Sequence, residues 1–150
     1  MKSEIITCRN QVVGASANLT LSTGDVVALK ALPATSTYHD VDDPQNAVAN
    51  SIVNVAVYVG DRDLPFGETG PFRVAGDVEC AVGGSPSLGD YAEVDLTTDT
   101  LQMVVWSGAG ATAIGAGEAE AALKVLRGRL VSAVSGGKAT VRLLPPYRVV

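Results

Sequence analysis

The sequence predicts an all-β protein: a single compact domain resembling a β-barrel or sandwich, with long loops, an N-terminal extension and at most one short helix. Three observations support this. Apolar and polar residues alternate with a period of two along most of the chain, as in half-buried strands. Turn residues separate the alternating segments at irregular spacing. The 16 glycines and 7 prolines indicate many turns.

The clearest predicted strand covers residues 71–81, in the segment PFRVAGDVECA. Its alternation places Cys80 on the apolar face, where a thiol acts as a small hydrophobe. Gly76 lies in the middle of this segment and predicts a bend. The same pattern predicts six further strands, within residues 25–32, 51–59, 90–96, 101–106, 124–134 and 138–145.

The connections between these strands are of two kinds. Residues 97–100 and 135–137 are short and rich in turn residues, so each predicts a hairpin. Residues 31–50 and 107–117 are long and predicted to be irregular, which is typical of functional loops or disorder. Residues 117–126 have the composition of one or two helical turns, because alanine, glutamate, leucine and lysine dominate them.

Length and charge exclude several classes of protein. A chain of 150 residues favours one domain of ordinary size. The net charge of −5 argues against affinity for bare nucleic acid. No apolar run approaches the ~20 residues that a membrane-spanning helix needs. The first ten residues lack the apolar core of a secretory signal, so we expect Cys8 and Cys80 to be reduced.

The only histidine, His39, lies beside three carboxylates, Asp40, Asp42 and Asp43. Such a cluster could begin a metal site, because carboxylate oxygens suit hard cations and imidazole suits transition metals. The spacing differs from that of a calcium loop, and a lone histidine excludes motifs with two histidines. We therefore interpret this segment as a solvated loop ahead of Pro44.

No catalytic constellation is evident in the sequence. Any serine or cysteine triad would have to pass through His39, and no G-x-S-x-G elbow occurs. Cys8 has no base near it in sequence, and Cys80 lies on a core face. The glycine-rich residues 107–117 lack the lysine of a phosphate-binding loop. The sequence thus predicts no catalytic residue, no cofactor-binding residue and no metal ligand.

Three arginines form the most notable basic group. Arg127 and Arg129 share one face of a predicted strand, and the hairpin through residues 135–137 would bring Arg142 near them. A solvated outer face and a contact with an acidic partner both explain this pattern. The aromatic residues form no stacking platform with interleaved basic residues, so we interpret them as core and interface anchors.

An ordered set of short motifs resembles a known family. The chain contains GDVV, VAV, a GETG turn leading into RVAG, GDYAEVD, GRLVSAV and TVRLL, at residues 24–27, 55–57, 67–76, 89–95, 128–134 and 140–144. In this order they resemble the small phage capsid-decoration, or cement, proteins of the DUF2190 type. The resemblance covers roughly residues 22–145. Residues 33–50 and 107–124 look like insertions relative to the family, and about twenty residues precede its core.

The resemblance implies a structural virion protein without catalytic activity or cofactor. It implies a homotrimer on the outer surface of a phage capsid, which stabilises the shell by clamping neighbouring major capsid proteins. Such a protein is made in the bacterial cytoplasm and contacts neither nucleic acid nor membrane directly. The expected organisation is an N-terminal extension or arm, residues 1–20, followed by a decoration domain, residues 21–150.

Several alternatives stay open. Residues 1–20 could be an arm that orders on a neighbour, or could be a frayed terminus followed by the first strand of the same domain. The chain could instead belong to a tail or a fibre base. A trimeric all-β nucleotide hydrolase of the dUTPase kind is a further alternative, although residues 143–150 lack its glycine-rich motif. The candidate working surfaces are residues 1–20, 33–50 and 107–124.

Overall fold

Strands make up the regular structure of this chain. The structure, a computed structural model, describes residues 4–14, 17–30, 32, 34–44, 52–95, 100–106 and 128–143. The strands in these residues are β1 (Glu4–Asn10), β2 (Val26–Lys30), β3 (His39–Asp42), β4 (Ile52–Tyr58), β5 (Thr69–Ala81), β6 (Tyr91–Val94), β7 (Met103–Val105), β8 (Gly128–Leu130) and β9 (Lys138–Leu143). None of the described residues lies in a helix, and none forms an apolar helix that could cross a membrane. The predicted all-β fold is confirmed.

The first half of the fold is a closed barrel. Its strands follow the order β1-β3-β2-β4-β5, and β5 returns to pair with β1. β1 runs parallel to β3, while the other neighbouring pairs are antiparallel. Closure protects the edges of the sheet where these strands pair, which limits a common route to edge-to-edge aggregation.

The second half is a sheet that continues from the same β5. Its order is β5-β9-β8-β6-β7, and all neighbouring pairs are antiparallel. β5 is 13 residues long and serves both halves. Gly76 lies where the pairing with the barrel ends and the pairing with β9 begins, and its φ is +88°. Glycine suits this bend because it adopts positive φ at little cost.

Two hydrophobic cores lie on opposite faces of β2 and β4. Val27 and Ala56 point into the barrel, together with Phe72 from β5. Val26 and Val57, one residue away on the same strands, belong to the core beneath the second sheet. Both faces of these strands are therefore buried, which explains their nearly continuous apolar sequences. Full burial of each such side chain contributes about 1.5–3 kcal/mol.

Most predicted strands appear with shifts of one to three residues at their ends. The hairpin at residues 135–137 is confirmed, with Gly136 and Gly137 at φ of +60° and +75°. β8 is shorter than predicted, since strand geometry ends at Leu130. The predicted short helix at residues 117–126 and the glycine-rich residues 107–117 lie outside the described residues.

The irregular structure predicted for residues 31–50 is wrong at His39–Asp42, which form β3. This strand has one fully buried side chain, Val41, between half-buried polar neighbours. A single apolar residue gives too little alternation to indicate a strand. The pairing is instead specified by the two neighbours, because β3 bonds to β1 on one side and to β2 on the other.

The N-terminal residues 4–10 form β1 of the same barrel. They pair with β5 over Glu4–Arg9 and with β3 over Cys8–Asn10. Of the two alternatives for this segment, the structure therefore shows a strand of the same domain. The division of the chain at residue 20, and an arm function on a capsid, stay predictions.

Candidate interaction surface

The histidine and its acidic neighbours are occupied by contacts within the fold. His39 is half-buried on β3, and its Nδ1 lies 2.7 Å from the Lys30 carbonyl oxygen. Asp40 accepts a hydrogen bond from Arg9 Nε at 2.9 Å. The interpretation of this segment as a solvated loop is thus wrong, because strand pairing holds it in the barrel wall. Among the described residues, no group of three or more potential metal ligands comes together.

The two cysteines are buried thiols in different cores. Cys8 lies inside the barrel and Cys80 in the core beneath the second sheet, both without accessible surface. Burial raises the pKa of each thiol to about 12, and the negative charges of Asp40 and Glu79 add to this effect. A thiolate nucleophile is therefore not formed near neutral pH. The predicted placement of Cys80 on the apolar face is confirmed.

The GETG turn borders an open cleft of about 690 Å³ next to the loop that follows β4. Its backbone groups bind the end of β1: Gly67 N donates to the Asn10 carbonyl at 2.7 Å, and the Glu68 carbonyl accepts from Asn10 N at 2.9 Å. Gly67 has a φ of +89°. At Gly70 an added Cβ would lie 3.0 Å from the Tyr58 ring. Both glycines thus serve backbone geometry and close packing.

A row of outward-facing side chains crosses the second sheet. Register pairs Asp77 of β5 with Arg142 of β9, Arg142 with Arg129 of β8, and Arg129 with Tyr91 of β6. Trp106 continues the row, because its backbone N donates to the Tyr91 carbonyl at 2.8 Å. We call these five residues, Asp77, Arg142, Arg129, Tyr91 and Trp106, the arginine–aromatic row.

Specific contacts order each member of the arginine–aromatic row. Arg142 binds Asp77 through two bonds, Nε to Oδ1 at 2.8 Å and Nη2 to Oδ2 at 3.2 Å. This hydrogen bond lowers the pKa of the Asp77 carboxyl and raises that of Arg142. The Arg129 guanidinium carbon lies 5.2 Å from the Tyr91 ring centroid, which is cation–π distance. Tyr91 and Trp106 meet edge to face, with ring centroids 6.4 Å apart.

A tight turn with an exposed leucine adjoins the row. Residues 87–90 close the turn through Asp90 N to Ser87 O at 3.0 Å and Ser87 N to Asp90 Oδ2 at 2.8 Å. Leu88 at its tip is 64% exposed. The next residue, Gly89, accepts a hydrogen bond from Arg129 Nε at 3.1 Å. The turn that carries the exposed Leu88 is therefore bonded directly to the guanidinium of Arg129.

Sequence reasoning anticipated part of this surface. It placed Arg142 near Arg129, and the register confirms that these two are direct partners. Arg127 lies outside the described residues, as do all of residues 107–124 and part of residues 33–50. The joining of Tyr91 and Trp106 to the arginines was missed. The alternation of β6 indicates that Tyr91 points outward. It does not indicate that β6 pairs with β8, because that pairing joins segments far apart in the sequence.

Comparison with known proteins gives one informative likeness. The fold is similar to a solved structure described as the head fiber gp8.5 N base in bacteriophage phi29, with a TM-score of 0.53. The alignment covers 95% of each chain at 9% sequence identity, so the likeness concerns the fold. No family model and no curated protein matches the sequence significantly.

Proposed function

We propose that this chain is a structural protein of a bacteriophage virion, bound to the outer surface of the head. The observation that carries this proposal is the likeness to the phi29 head fiber base, which extends over 95% of both chains. The motif order that resembles phage decoration proteins leads to the same class of protein independently. The relation to the DUF2190 type is part of the proposal.

The physical character of the described residues supports a binding role. Within the described residues, the two thiols are buried, the GETG turn is bonded within the fold and Asp40 is paired with Arg9, so none of these candidates offers a free nucleophile or base. A closed barrel with a second sheet instead offers rigid outer faces. We propose that the protein contacts neighbouring major capsid subunits and stabilises the assembled shell, because a ligand of the assembled state shifts assembly by mass action.

We further propose that the protein acts as a homotrimer. Several modest contacts per trimer would then combine through avidity on a repetitive shell. Native mass spectrometry of the full chain measures this property separately. A monomer at micromolar concentration would contradict the trimer without affecting the placement on the head.

A test of the main proposal uses capsids of the phage whose genome encodes the chain. Purified full-length protein is added to capsids that lack it, and the particles are imaged by cryo-electron microscopy. We expect symmetric density on the outer capsid surface and a higher temperature of shell disruption. Density on the tail alone would contradict the head assignment, and the absence of any density would contradict the virion role.

A head-fibre base is the second candidate, favoured by the description of the phi29 structure. The same images distinguish the two roles. A decoration protein lies flat across several capsid subunits at many positions. A fibre base instead anchors an outward projection, and its contact with the shell is confined to one end of the domain.

A further inference from the structure

We propose that the arginine–aromatic row, with the adjoining turn that carries Leu88, is a docking surface for a carboxylate-bearing segment of a partner protein. This inference deepens the proposed function, on which the identification of the partner as a capsid protein rests. Four features of the surface suit such a segment: its charge, its free hydrogen-bonding capacity, its exposed apolar groups and its rigidity.

The charge pattern of the row is unfavourable for the isolated protein. Arg129 and Arg142 are direct cross-strand partners, and like charges in this position destabilise a sheet. Asp77 neutralises only Arg142, so the row carries one excess positive charge on a protein of net charge −5. A carboxylate from a partner, placed beside Arg129, removes this imbalance.

The guanidinium of Arg129 has hydrogen-bonding capacity to spare. Its Nε donates to the Gly89 carbonyl. No described residue accepts a hydrogen bond from its two Nη groups or forms an ion pair with it. The planar guanidinium group is suited to carboxylates because it can donate two parallel hydrogen bonds. Stacking on Tyr91 holds this group in place before a partner arrives, which reduces the entropy lost on binding.

Exposed apolar side chains accompany this cation: the Tyr91 ring that it stacks on is 40% exposed, and Leu88, in the turn bonded to Arg129, is 64% exposed. Tyrosine, tryptophan and arginine are the residues that most often dominate binding energy at protein interfaces. The opposite face of the same strands is buried, with Leu130, Val141 and Ala92 in the core. The surface is therefore rigid as well as amphipathic.

The same charges disfavour a nucleic acid as the occupant. Asp77 lies within the row, and Glu79 is exposed two residues further along β5. Together they would repel a phosphate backbone, whose binding needs several uncompensated cations. A protein segment with one or two carboxylates could neutralise the single excess charge, and an apolar side chain of that segment could contact Leu88 and Tyr91.

Trp106 provides a direct measurement, because it is the only tryptophan of the chain and a member of the row. A short peptide of glutamate and leucine is titrated into the full-length protein while tryptophan fluorescence is recorded. The variants are Arg129→Gln and, as matched control, Arg62→Gln, which removes an equal charge from an exposed position outside the row. Thermal unfolding confirms that both variants fold.

We expect saturable binding by the wild-type protein and by R62Q, and about tenfold weaker binding by R129Q. A peptide with glutamine in place of glutamate should lose most of its affinity. The proposal is overturned by equal affinities of R129Q and R62Q, by equal binding of the glutamine peptide, or by tighter binding of a double-stranded DNA oligonucleotide.

Capsid occupancy separates this proposal from the proposed function. If wild-type protein occupies capsids and R129Q occupies them equally well, the docking surface is wrong and the head assignment stands. If wild-type protein leaves capsids bare but R129Q still loses affinity for the peptide, the surface is supported and the capsid assignment fails. Loss of occupancy by R129Q but not by R62Q supports both.

Discussion

Two turns of this protein share one sequence pattern and one geometry but differ in their surroundings. S-T-G-D at residues 22–25 precedes β2, and S-L-G-D at residues 87–90 precedes β6. In each, the aspartate N donates to the serine carbonyl at 3.0 Å and the serine N donates to the carboxylate at 2.8 Å. Gly24 and Gly89 have φ of +96° and +90°.

The tips of the two turns meet different neighbours. The Thr23 hydroxyl donates to the Gly60 carbonyl, and Lys138 Nζ donates to the Thr23 carbonyl at 3.0 Å. Leu88, at the same position of the second turn, is 64% exposed. Four residues therefore suffice to specify this turn. Its role depends on which residues the rest of the fold brings into contact with the tip of the turn. One tip joins the two halves of the domain, and the other is exposed at the proposed docking surface.

The largest expected effect is a loss of stability that should involve the barrel and the second sheet together. Phe72→Ala removes the largest fully buried side chain of the barrel and should lower the free energy of unfolding by about 3–5 kcal/mol. Because β2, β4 and β5 serve both cores, the second sheet should unfold in the same transition. Circular dichroism and Trp106 fluorescence, recorded during urea unfolding, measure whether the transitions coincide. Separate midpoints would mean that the halves are independent units.

The two turn glycines should respond alike to substitution. Gly24→Ala and Gly89→Ala each force a side chain into positive φ, at a cost of about 1–2 kcal/mol in stability. An added Cβ at either position meets no atom closer than 3.5 Å, so steric clashes should add little. Urea unfolding of both variants gives the comparison. A difference of several-fold between the two losses would show that the geometries are not equivalent.

The two tip residues should behave differently. Thr23→Val removes the hydroxyl bond to Gly60 and should cost about 0.5–1.5 kcal/mol. Leu88→Gln should change stability by less than about 0.5 kcal/mol, because the side chain is mostly exposed. Capsid occupancy should show the reverse order, with a loss for L88Q and none for T23V. Equal occupancy of both variants would remove Leu88 from the docking surface.

The smallest expected effects are on the pH dependence of stability, to which Asp25 and Asp77 should contribute with opposite signs. Burial raises the pKa of Asp25 above its ordinary 3.8, while the Arg142 hydrogen bond lowers that of Asp77. The native state holds the Asp25 proton more tightly than the unfolded chain does. Stability from Asp25 is therefore complete below pH 3.8 and is lost as pH rises through the raised pKa. Stability from Asp77 is present above pH 3.8 and is lost as pH falls through the lowered pKa.

Asparagine variants measure these opposite slopes. Relative to the wild-type protein, Asp25→Asn should become more stable as pH rises from strongly acidic to neutral. Asp77→Asn should be less stable than wild type at neutral pH, with a gap that closes in acid. Thermal melting of the three proteins across this range provides the data. Parallel slopes for the two variants would contradict the assigned causes.

Much of the fold could be predicted because its strands alternate strongly. β5 was placed within two residues, and the hairpin of Gly136 and Gly137 was identified from its turn residues. β3 was missed because Val41 is its only buried side chain. The arginine partners Arg129 and Arg142 were anticipated through that hairpin, since residues close in sequence constrain each other. The sequence does not join Tyr91 and Trp106 to these arginines, because the strand of Tyr91 pairs with the strand of Arg129, which lies much further along the chain.

By itself, the sequence determined the local elements: alternation fixed which faces of β5 and β9 are buried, and serine, glycine and aspartate fixed the two turns. Only the tertiary structure decided how the elements meet. It closed β1 onto β5, buried both faces of β2, and aligned Asp77, Arg142, Arg129 and Tyr91 into one row. The physical reason is that side-chain periodicity is a local property, whereas strand order follows from burying all apolar faces at once.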